Sequence, residues 1–290
     1  MRRANTAAYL FLFPGLLVII VTTILPVISV FNLSFQEWQI TRSIEPVGYV
    51  GFENYARAFQ DGDFWNSVLI TLYYTIITVF FSVVIGLFCA VVLQKTNFVS
   101  GIVKSLLIFP FAISLTLRGY SFRFMLLEGQ GILDTLIDLF IPIPAVQETL
   151  WLGNPWTALF WITVPIFWSW GPLCGLMILG ALNNISPEIF EAARVDGARP
   201  LRIFWNITLP LLRPMILVMV LLVTLFSIRV FDVVHTMTSG GPGRSTEILN
   251  YYIYRIGFQI FDMGYASALS IILTLILLVL AYMYSRILIK

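Results

Sequence analysis

Charged residues are scarce in this chain of 290 residues, and the scarcity excludes most soluble proteins. Only 11% of the residues are charged, against roughly 25% in an average soluble domain. The net charge of +2 leaves no strongly basic surface that would bind nucleic acid. The two cysteines, Cys89 and Cys174, are too few for a disulfide framework and lack metal-ligand spacing, so we expect them to be reduced and buried. Because 59% of the residues are hydrophobic, an integral membrane protein is the expected class.

Long stretches with little or no charge predict an all-α membrane fold with six transmembrane helices. A bilayer core requires about 20 mostly apolar residues per helix. Four charge-free intervals meet this requirement, and two further apolar stretches contain a few charged residues. The predicted spans cover approximately residues 9–35, 64–93, 104–125, 156–181, 209–232 and 263–286 of a single transmembrane domain, residues 1–290. The first apolar run is longer than a signal-peptide core, so we expect it to remain as an uncleaved helix.

Basic residues predict the orientation, because short cytoplasmic segments are enriched in Lys and Arg. With the N-terminus inside, the inner segments contain ten of the seventeen basic residues, and the outer loops contain four. The inner ten are Arg2, Arg3, Lys95, Lys104, Arg194, Arg199, Arg202, Arg213, Arg286 and Lys290. We therefore expect both termini in the cytoplasm. A six-span chain of this size has little room for its own aqueous pathway, so a dimeric assembly is expected.

The polar segment between the fourth and fifth spans, residues 183–210, predicts a short helix–turn–helix on the cytoplasmic face. Ser186 is suited to accept hydrogen bonds from the first helical turn, and Pro187 suits the first helical position. Gly197 permits the positive φ that ends a helix, and Pro200 can begin the next one. A solvated loop that merely follows the charge bias is the alternative interpretation.

One signature in this segment resembles the EAA motif of permease subunits from binding-protein-dependent ABC importers. It comprises Glu191-Ala192-Ala193, then Gly197 after three residues, then Ile207-Thr208-Leu209-Pro210 after nine more. The resemblance implies a MetI-like type I importer permease fold in which the short helices dock into a cleft on an ATPase subunit. Glu191 would supply a charged contact, the two alanines a close approach and Gly197 the turn, with Asp196 on the flank of the helix.

Two further regions resemble the carbohydrate branch of this family, in particular the maltose-type subunit that pairs with a second, different permease. They are Leu12-Phe13-Pro14-Gly15 near the N-terminus and residues 231–270. The resemblance implies import of a sugar, sugar oligomer, polyol or sugar phosphate across a bacterial inner membrane. The expected partners are a second permease, two ATPase subunits that hold ATP and Mg, and a periplasmic or lipid-anchored sugar-binding protein. The chain itself is expected to bind no cofactor and to catalyse no reaction.

The glycine-rich segment Gly240-Gly241-Pro242-Gly243 predicts a tight turn at the outer face, where the binding protein would dock. A plain connection between helices is the alternative. The segment lacks the Gly-Lys-Ser/Thr ending of a phosphate loop and lies on the side opposite to ATP, so it is not expected to bind nucleotide.

Charged residues within spans are costly and usually face a cavity, a partner or the interface. On a straight helix that begins at Lys104, Arg118 would lie about 21 Å into the bilayer. It is therefore a candidate pathway residue that would favour an anionic sugar, although it could instead reach the interface or pair with a partner subunit. Arg123 is expected to reach the interface. Arg229 and Asp232 are expected to form an ion pair along one helix.

Aromatic and hydroxyl side chains in two spans suggest a sugar pocket, because sugars combine apolar ring faces with hydroxyl edges. Phe226, Ser227 and Val230 lie on the fifth span, and Trp170 and Leu173 on the fourth could form the opposite wall. Packing against lipid or other helices is the alternative for any such aromatic stripe.

Three other functions remain as rivals. An intramembrane enzyme would require clustered acids or histidines at the inner face, and the sequence has none there beyond the helix–turn–helix segment. A secondary transporter would require internal repeats and buried acids. An ABC permease for a solute other than a sugar is the nearest alternative.

Overall fold

The computed structural model describes residues 2–94, 100–141 and 150–288. Lys95 and Lys290, two of the residues used to predict the orientation, lie outside the described residues. The described helices are α1 (Arg2–Ile19), α2 (Leu25–Leu33), α3 (Glu53–Gln60), α4 (Gly62–Gln94), α5 (Ser100–Ala112), α6 (Leu115–Met125), α7 (Ile132–Phe140), α8 (Pro155–Trp161), α9 (Val164–Asn183), α10 (Pro187–Val195), α11 (Pro200–Ile203), α12 (Leu209–Ile228), α13 (Asp232–Met237), α14 (Leu249–Tyr254) and α15 (Met263–Leu288). Short π-helical segments occupy Ile20–Ile24, Phe204–Thr208 and Arg255–Gln259, and two-residue strands β1 (Gln36–Glu37) and β2 (Gly48–Tyr49) pair antiparallel.

Among the described residues, five helical segments are long and apolar enough to cross a membrane, and a bent pair of helices makes a possible sixth span. The five are Phe11–Leu33, Gly62–Gln94, Pro155–Asn183, Pro200–Ile228 and Met263–Ile287, and the bent pair joins Val103–Ala112 to Leu115–Met125. The predicted fold of membrane-spanning helices is confirmed, except that the short β1–β2 pair was not predicted from the sequence.

The third predicted span is not a straight helix. α5 and α6 meet at an angle of 96°. Pro110 lies in the last turn of α5, and Ser114 caps α6 by accepting a hydrogen bond from the backbone N–H of Leu117 at 3.3 Å. A depth of about 21 Å for Arg118, counted along a straight helix, is therefore wrong.

The chain divides into two compact units. The first comprises Met1–Trp65 and Tyr252–Ile276, and the second comprises Asn66–Tyr251 and Leu277–Lys290.

In the first unit the β1–β2 hairpin is anchored by Asn54, whose side-chain amide donates to the carbonyl oxygens of Ser34 and Gln36, both at 3.0 Å. Arg57 Nη1 bonds to Asp262 Oδ2 at 2.8 Å, and its guanidinium lies 4.0 Å from the centre of the Tyr265 ring.

Asp61 is the centre of a second polar cluster in the first unit. Its carboxylate accepts hydrogen bonds from the hydroxyl groups of Tyr252 and Tyr265 and, at 2.9 Å, from the backbone N–H of Asp63. Partial burial acts to raise the pKa of Asp61, but the two tyrosine hydroxyls and nearby backbone amides outweigh it and hold the pKa below the usual 3.8. The charged form of Asp61 therefore stabilises the folded unit.

Replacing Asp61 with asparagine is expected to lower stability at pH 7 by about 2 kcal/mol, the scale of hydrogen bonds to a charged group. Because the folded pKa is depressed, the carboxylate's contribution is present above pH 3.8 and is lost as the pH falls below it. Thermal unfolding of both proteins between pH 7 and pH 3 tests this, with the exposed Glu45→Gln as control. An equal difference between wild type and Asp61→Asn across the whole range would contradict the prediction.

In the second unit, α9 packs closely against α4. Cys174, Ile178 and Leu182 of α9 are buried. Gly175 lies where an added Cβ would be 2.6 Å from Cβ of Cys89, so the two helix backbones approach too closely for a side chain at this position. Both cysteines are free thiols in this interface, with Cys174 buried and Cys89 partly so.

Candidate functional site

The segment between α9 and α12 forms the predicted helix–turn–helix. α10 begins at Pro187 with Ser186 as its N-cap residue, and α11 begins at Pro200. Gly197, between them, has a φ of +74°, as expected for a residue that ends a helix. One detail is wrong: the Ser186 side chain makes no capping hydrogen bond, and its backbone carbonyl instead accepts from the N–H of Ile189 at 3.2 Å.

The solvent-exposed surface of α10 combines charged and apolar side chains. Glu191, Ala192 and Asp196 are exposed. Exposed apolar side chains accompany them at Ile189 and Val195 of α10 and at Leu201 of α11, with Val195 87% exposed. Ala193 differs from the prediction, since it is buried within its own chain. Its small side chain therefore serves packing inside the subunit, and Ala192 is the alanine that another protein can approach.

Three aromatic rings from three helices form a continuous wall in the second unit. The Trp170 ring of α9 lies between Phe111 of α5, at a centroid distance of 5.2 Å, and Phe226 of α12, at 4.9 Å. Trp170 is buried, whereas Phe226 is 54% exposed. The predicted pairing of the fourth and fifth spans is therefore present in the structure. We define Phe111, Trp170 and Phe226 as the aromatic wall.

The other predicted pocket residues are less accessible. Leu173 is partly buried. Ser227 and Val230 are 1% and 5% exposed, so their side chains lie in the interior of the chain and not on the face that carries Phe226. The regular spacing of a helical stripe suggested a shared face, but Ser227 is on the buried side of α12, and Val230 lies beyond the end of that helix at Ile228.

Arg118 is buried, with 3% of its surface exposed, and its guanidinium holds the bend between α5 and α6. Nη1 donates to the Ser169 hydroxyl at 2.6 Å, and Nη2 donates to the carbonyl oxygens of Ile113 at 2.7 Å and Phe111 at 3.4 Å. These carbonyls end α5, where the helix dipole favours a cation. The prediction that Arg118 faces the pathway is not supported by these contacts, since they occupy both terminal nitrogens.

A cavity of about 500 Å³ adjoins Arg118 and includes Trp161, Phe167 and Trp168 in its lining. Trp168 and Trp170 are two residues apart on α9 and so point to different sides of the helix. The cavity and the aromatic wall therefore lie on different sides of α9. Sequence reasoning missed Phe111 and Ser169, although Pro110 and Ser114 were local signals of the bend that positions Phe111.

Arg123 and Arg229, the other two arginines for which the sequence suggested a role in the spans, have different surroundings. Arg123 donates from Nη1 to the carbonyl oxygen of Thr236 at 3.1 Å, so it has a contact within the chain and does not simply extend to the interface. The predicted ion pair between Arg229 and Asp232 is absent among the described residues. α12 ends at Ile228 and a new helix begins at Asp232, whose carboxylate accepts a hydrogen bond from Thr116 at 3.0 Å.

The segment Gly240–Gly243 forms the predicted turn. Gly240 and Gly243 have φ values of +81° and +54°. The Thr246 hydroxyl closes the turn by donating to the carbonyl oxygen of Gly241 at 2.7 Å. Gly241 and Pro242 line a cleft of about 390 Å³ together with Arg123, Glu128 and Trp151. The turn is therefore one edge of an open cleft with charged and aromatic walls.

Comparison with known proteins agrees with this architecture. The family described as "Binding-protein-dependent transport system inner membrane component" matches residues 70–288. The chain is 30% identical over 288 residues to the trehalose/maltose transport system permease protein MalF of Thermococcus litoralis, with 98% of this chain and 94% of that protein covered. It is 31% identical over 280 residues to the sulfoquinovosyl glycerol transport system permease protein SmoG of Agrobacterium fabrum, with 97% and 89% covered.

A solved structure shares the fold. It is a chain of a bacterial alginate ABC transporter in complex with an alginate pentasaccharide-bound periplasmic protein. The TM-score is 0.81 at 19% identity, with 98% of this chain and 94% of that chain covered. The permease fold predicted from the sequence is thereby confirmed.

Proposed function

Because this chain belongs to the family of inner membrane components of binding-protein-dependent transport systems, we propose that it is a permease subunit of an ATP-driven sugar importer. The observation that carries the sugar assignment is the aromatic wall, whose most exposed member, Phe226, offers a flat apolar surface of the kind that sugar rings stack on. The names of two relatives support it, since one is a trehalose/maltose permease and the other a sulfoquinovosyl glycerol permease.

The energy for transport comes from separate ATPase subunits, and α10 is the element that contacts them. Its exposed face presents the carboxylate of Glu191 beside the small Ala192, and Val195 adds an apolar contact. A charged group beside exposed apolar side chains is typical of a docking surface. ATP and Mg bind to those subunits, and this chain contributes mechanical coupling without catalysing a reaction.

The chain works as one half of a heterodimer with a second, homologous permease. The exposed face of α12 that carries Phe226 is the side from which a second subunit would complete the pathway. The bias of basic residues supports an orientation with both termini in the cytoplasm, which places α10 on the ATP side. The cleft beside Gly241 and Pro242 then lies outside, where a sugar-binding protein docks.

Transport proceeds by alternating access between two states of the assembly. Closure of the ATPase pair moves the two α10 helices, one from each permease, and opens the pathway to the outside, where the binding protein releases sugar. Hydrolysis of ATP returns the pathway to the inward-open state. Each step requires that ATP and the loaded binding protein bind one state more tightly than the other.

Extraction of the tagged chain from native membranes in mild detergent tests this proposal. We expect a second permease, an ATPase and a solute-binding protein to co-purify, and the binding protein to bind sugars. A chain that co-purifies with no ATPase would contradict the importer assignment. A complete complex whose binding protein binds only solutes of another class would contradict the sugar assignment.

A further inference from the structure

Arg229 lies on the same exposed face of α12 as Phe226, the residue that α12 contributes to the aromatic wall. It is the C-cap residue of α12 and still has helical backbone angles, with φ −92° and ψ −2°. Phe226 precedes it by three residues, and residues three apart share one face of a helix. Both side chains are exposed, and Phe226 contacts Trp170. This spacing places Arg229 one helical turn from Phe226, on the side of α12 that contributes to the aromatic wall.

The charge of Arg229 is not used within the described part of the chain. Asp232, the nearest acid in the sequence, bonds to Thr116 instead. In residues 2–94, 100–141 and 150–288 the Arg229 side chain makes no ion pair or hydrogen bond, although its backbone carbonyl accepts from Asn250 at 2.9 Å. The negative end of the α12 dipole stabilises a cation at this position. All five donors of the side chain are thus free for a ligand.

The other two arginines of these spans differ in this respect. Both terminal nitrogens of Arg118 donate hydrogen bonds, one to Ser169 and the other to the carbonyl groups at the end of α5. Arg123 donates to the carbonyl oxygen of Thr236. Of the three arginines, Arg229 is the exposed one whose side chain makes no hydrogen bond or ion pair at all with the described residues.

We propose that Arg229 binds an acidic group on the transported sugar, so that the substrate is a sugar carrying a carboxylate, sulfonate or phosphate. This inference rests on the proposed function, since it requires that the aromatic wall faces the pathway. The planar guanidinium matches two oxygens of an acidic group at once, while the sugar ring lies against Phe226. The ligand is held by one charged contact and one stacking contact, and both come from the same face of α12.

Uptake by the complete importer, purified with its partner subunits and binding protein and reconstituted in liposomes, tests the inference. The probes are two acidic compounds, sulfoquinovosyl glycerol and alginate pentasaccharide, and two neutral ones, trehalose and maltose. We expect uptake of an acidic probe, and a KM for it that rises roughly 10- to 100-fold in Arg229→Gln, because a charged hydrogen-bonding pair is lost. Arg229→Lys keeps the charge but not the planar fork, so a smaller rise is expected.

Arg42→Gln is the matched control, because it removes the same charge from an exposed residue of the first unit and should leave the KM unchanged. Uptake of neutral probes alone would overturn the inference and leave the sugar importer intact. An Arg229→Gln importer with an unchanged KM for the acidic probe, or with equal losses for acidic and neutral probes, would also overturn it. A wild-type importer that hydrolyses ATP but takes up none of the four probes, and whose binding protein binds only solutes of another class, would overturn the sugar assignment itself, and the inference with it.

Discussion

An importer that carries lysine in place of Glu191 is expected to lose ATP-driven uptake by roughly 30-fold or more. Glu191 is exposed on α10, and its charge is available to a partner. Reversal of one charge in a desolvated interfacial pair commonly costs about 2–5 kcal/mol, since it leaves the partner's charge unpaired and adds repulsion. The substitution should leave the fold intact, because the side chain is on the surface of a short helix that begins at Pro187.

Two measurements test this expectation: the amount of ATPase that co-purifies with the variant, and the rate of ATP-driven uptake into liposomes. Glu45→Lys is a suitable control, because it makes the same reversal at an exposed residue between β1 and β2. It should retain both activities. If Glu191→Lys retained the ATPase and normal uptake, α10 would not be the element that contacts the ATPase through this carboxylate.

Replacing Gly175 with valine is expected to destabilise the subunit by about 3 kcal/mol, at the upper end of the usual cost of overpacking. An added Cβ would lie 2.6 Å from Cβ of Cys89 and 3.1 Å from the carbonyl oxygen of Gly86. The first of these atoms cannot rotate away, and the second belongs to the backbone of α4. The helices must therefore separate, and the contacts between α4 and α9 weaken along with them.

Thermal unfolding in detergent measures the effect, with an expected fall in Tm of roughly 6–12 °C. Gly180→Val is the matched control, since Gly180 lies on the same helix and an added Cβ there would meet no atom of the described residues within 4 Å. Both variants replace glycine with valine in the same helix, so the change in helix propensity is the same. The difference between their Tm values therefore measures the steric clash. Equal Tm values for the two variants would show that the backbones are not in close contact at Gly175.

Much of the candidate site could be predicted from the sequence because its signals act over one or two helical turns. Pro187 and Pro200 begin helices, and Gly197 has the positive φ that was predicted for it. The exception is Ser186, which occupies the N-cap position without making the side-chain hydrogen bond. Residue type favours that position strongly, but the rotamer depends on surroundings that the sequence does not describe.

The partners of the charged side chains in the spans could not be predicted, because they depend on contacts between segments that are distant in the sequence. Arg118 and Ser169 are 51 residues apart in the sequence. The hydrogen bond between them indicates a structural role for Arg118, which the sequence had suggested as a pathway residue. The same holds for Arg229, whose expected ion pair with Asp232 is replaced by the bond between Asp232 and Thr116 across 116 residues. In each case several hydrogen-bond partners were compatible with the sequence, and the packing of the helices selected one.

The membrane-spanning character and the helix–turn–helix of α10 and α11 could therefore be read from residue order alone, since apolar length and backbone preferences are local properties. Three features follow only from contacts in the folded chain: the 96° bend between α5 and α6, the meeting of Phe111, Trp170 and Phe226, and an Arg229 guanidinium that the described residues leave unpaired. The physical reason is that an apolar helix has similar composition on every side, so periodicity along the chain does not identify the neighbour that each side contacts.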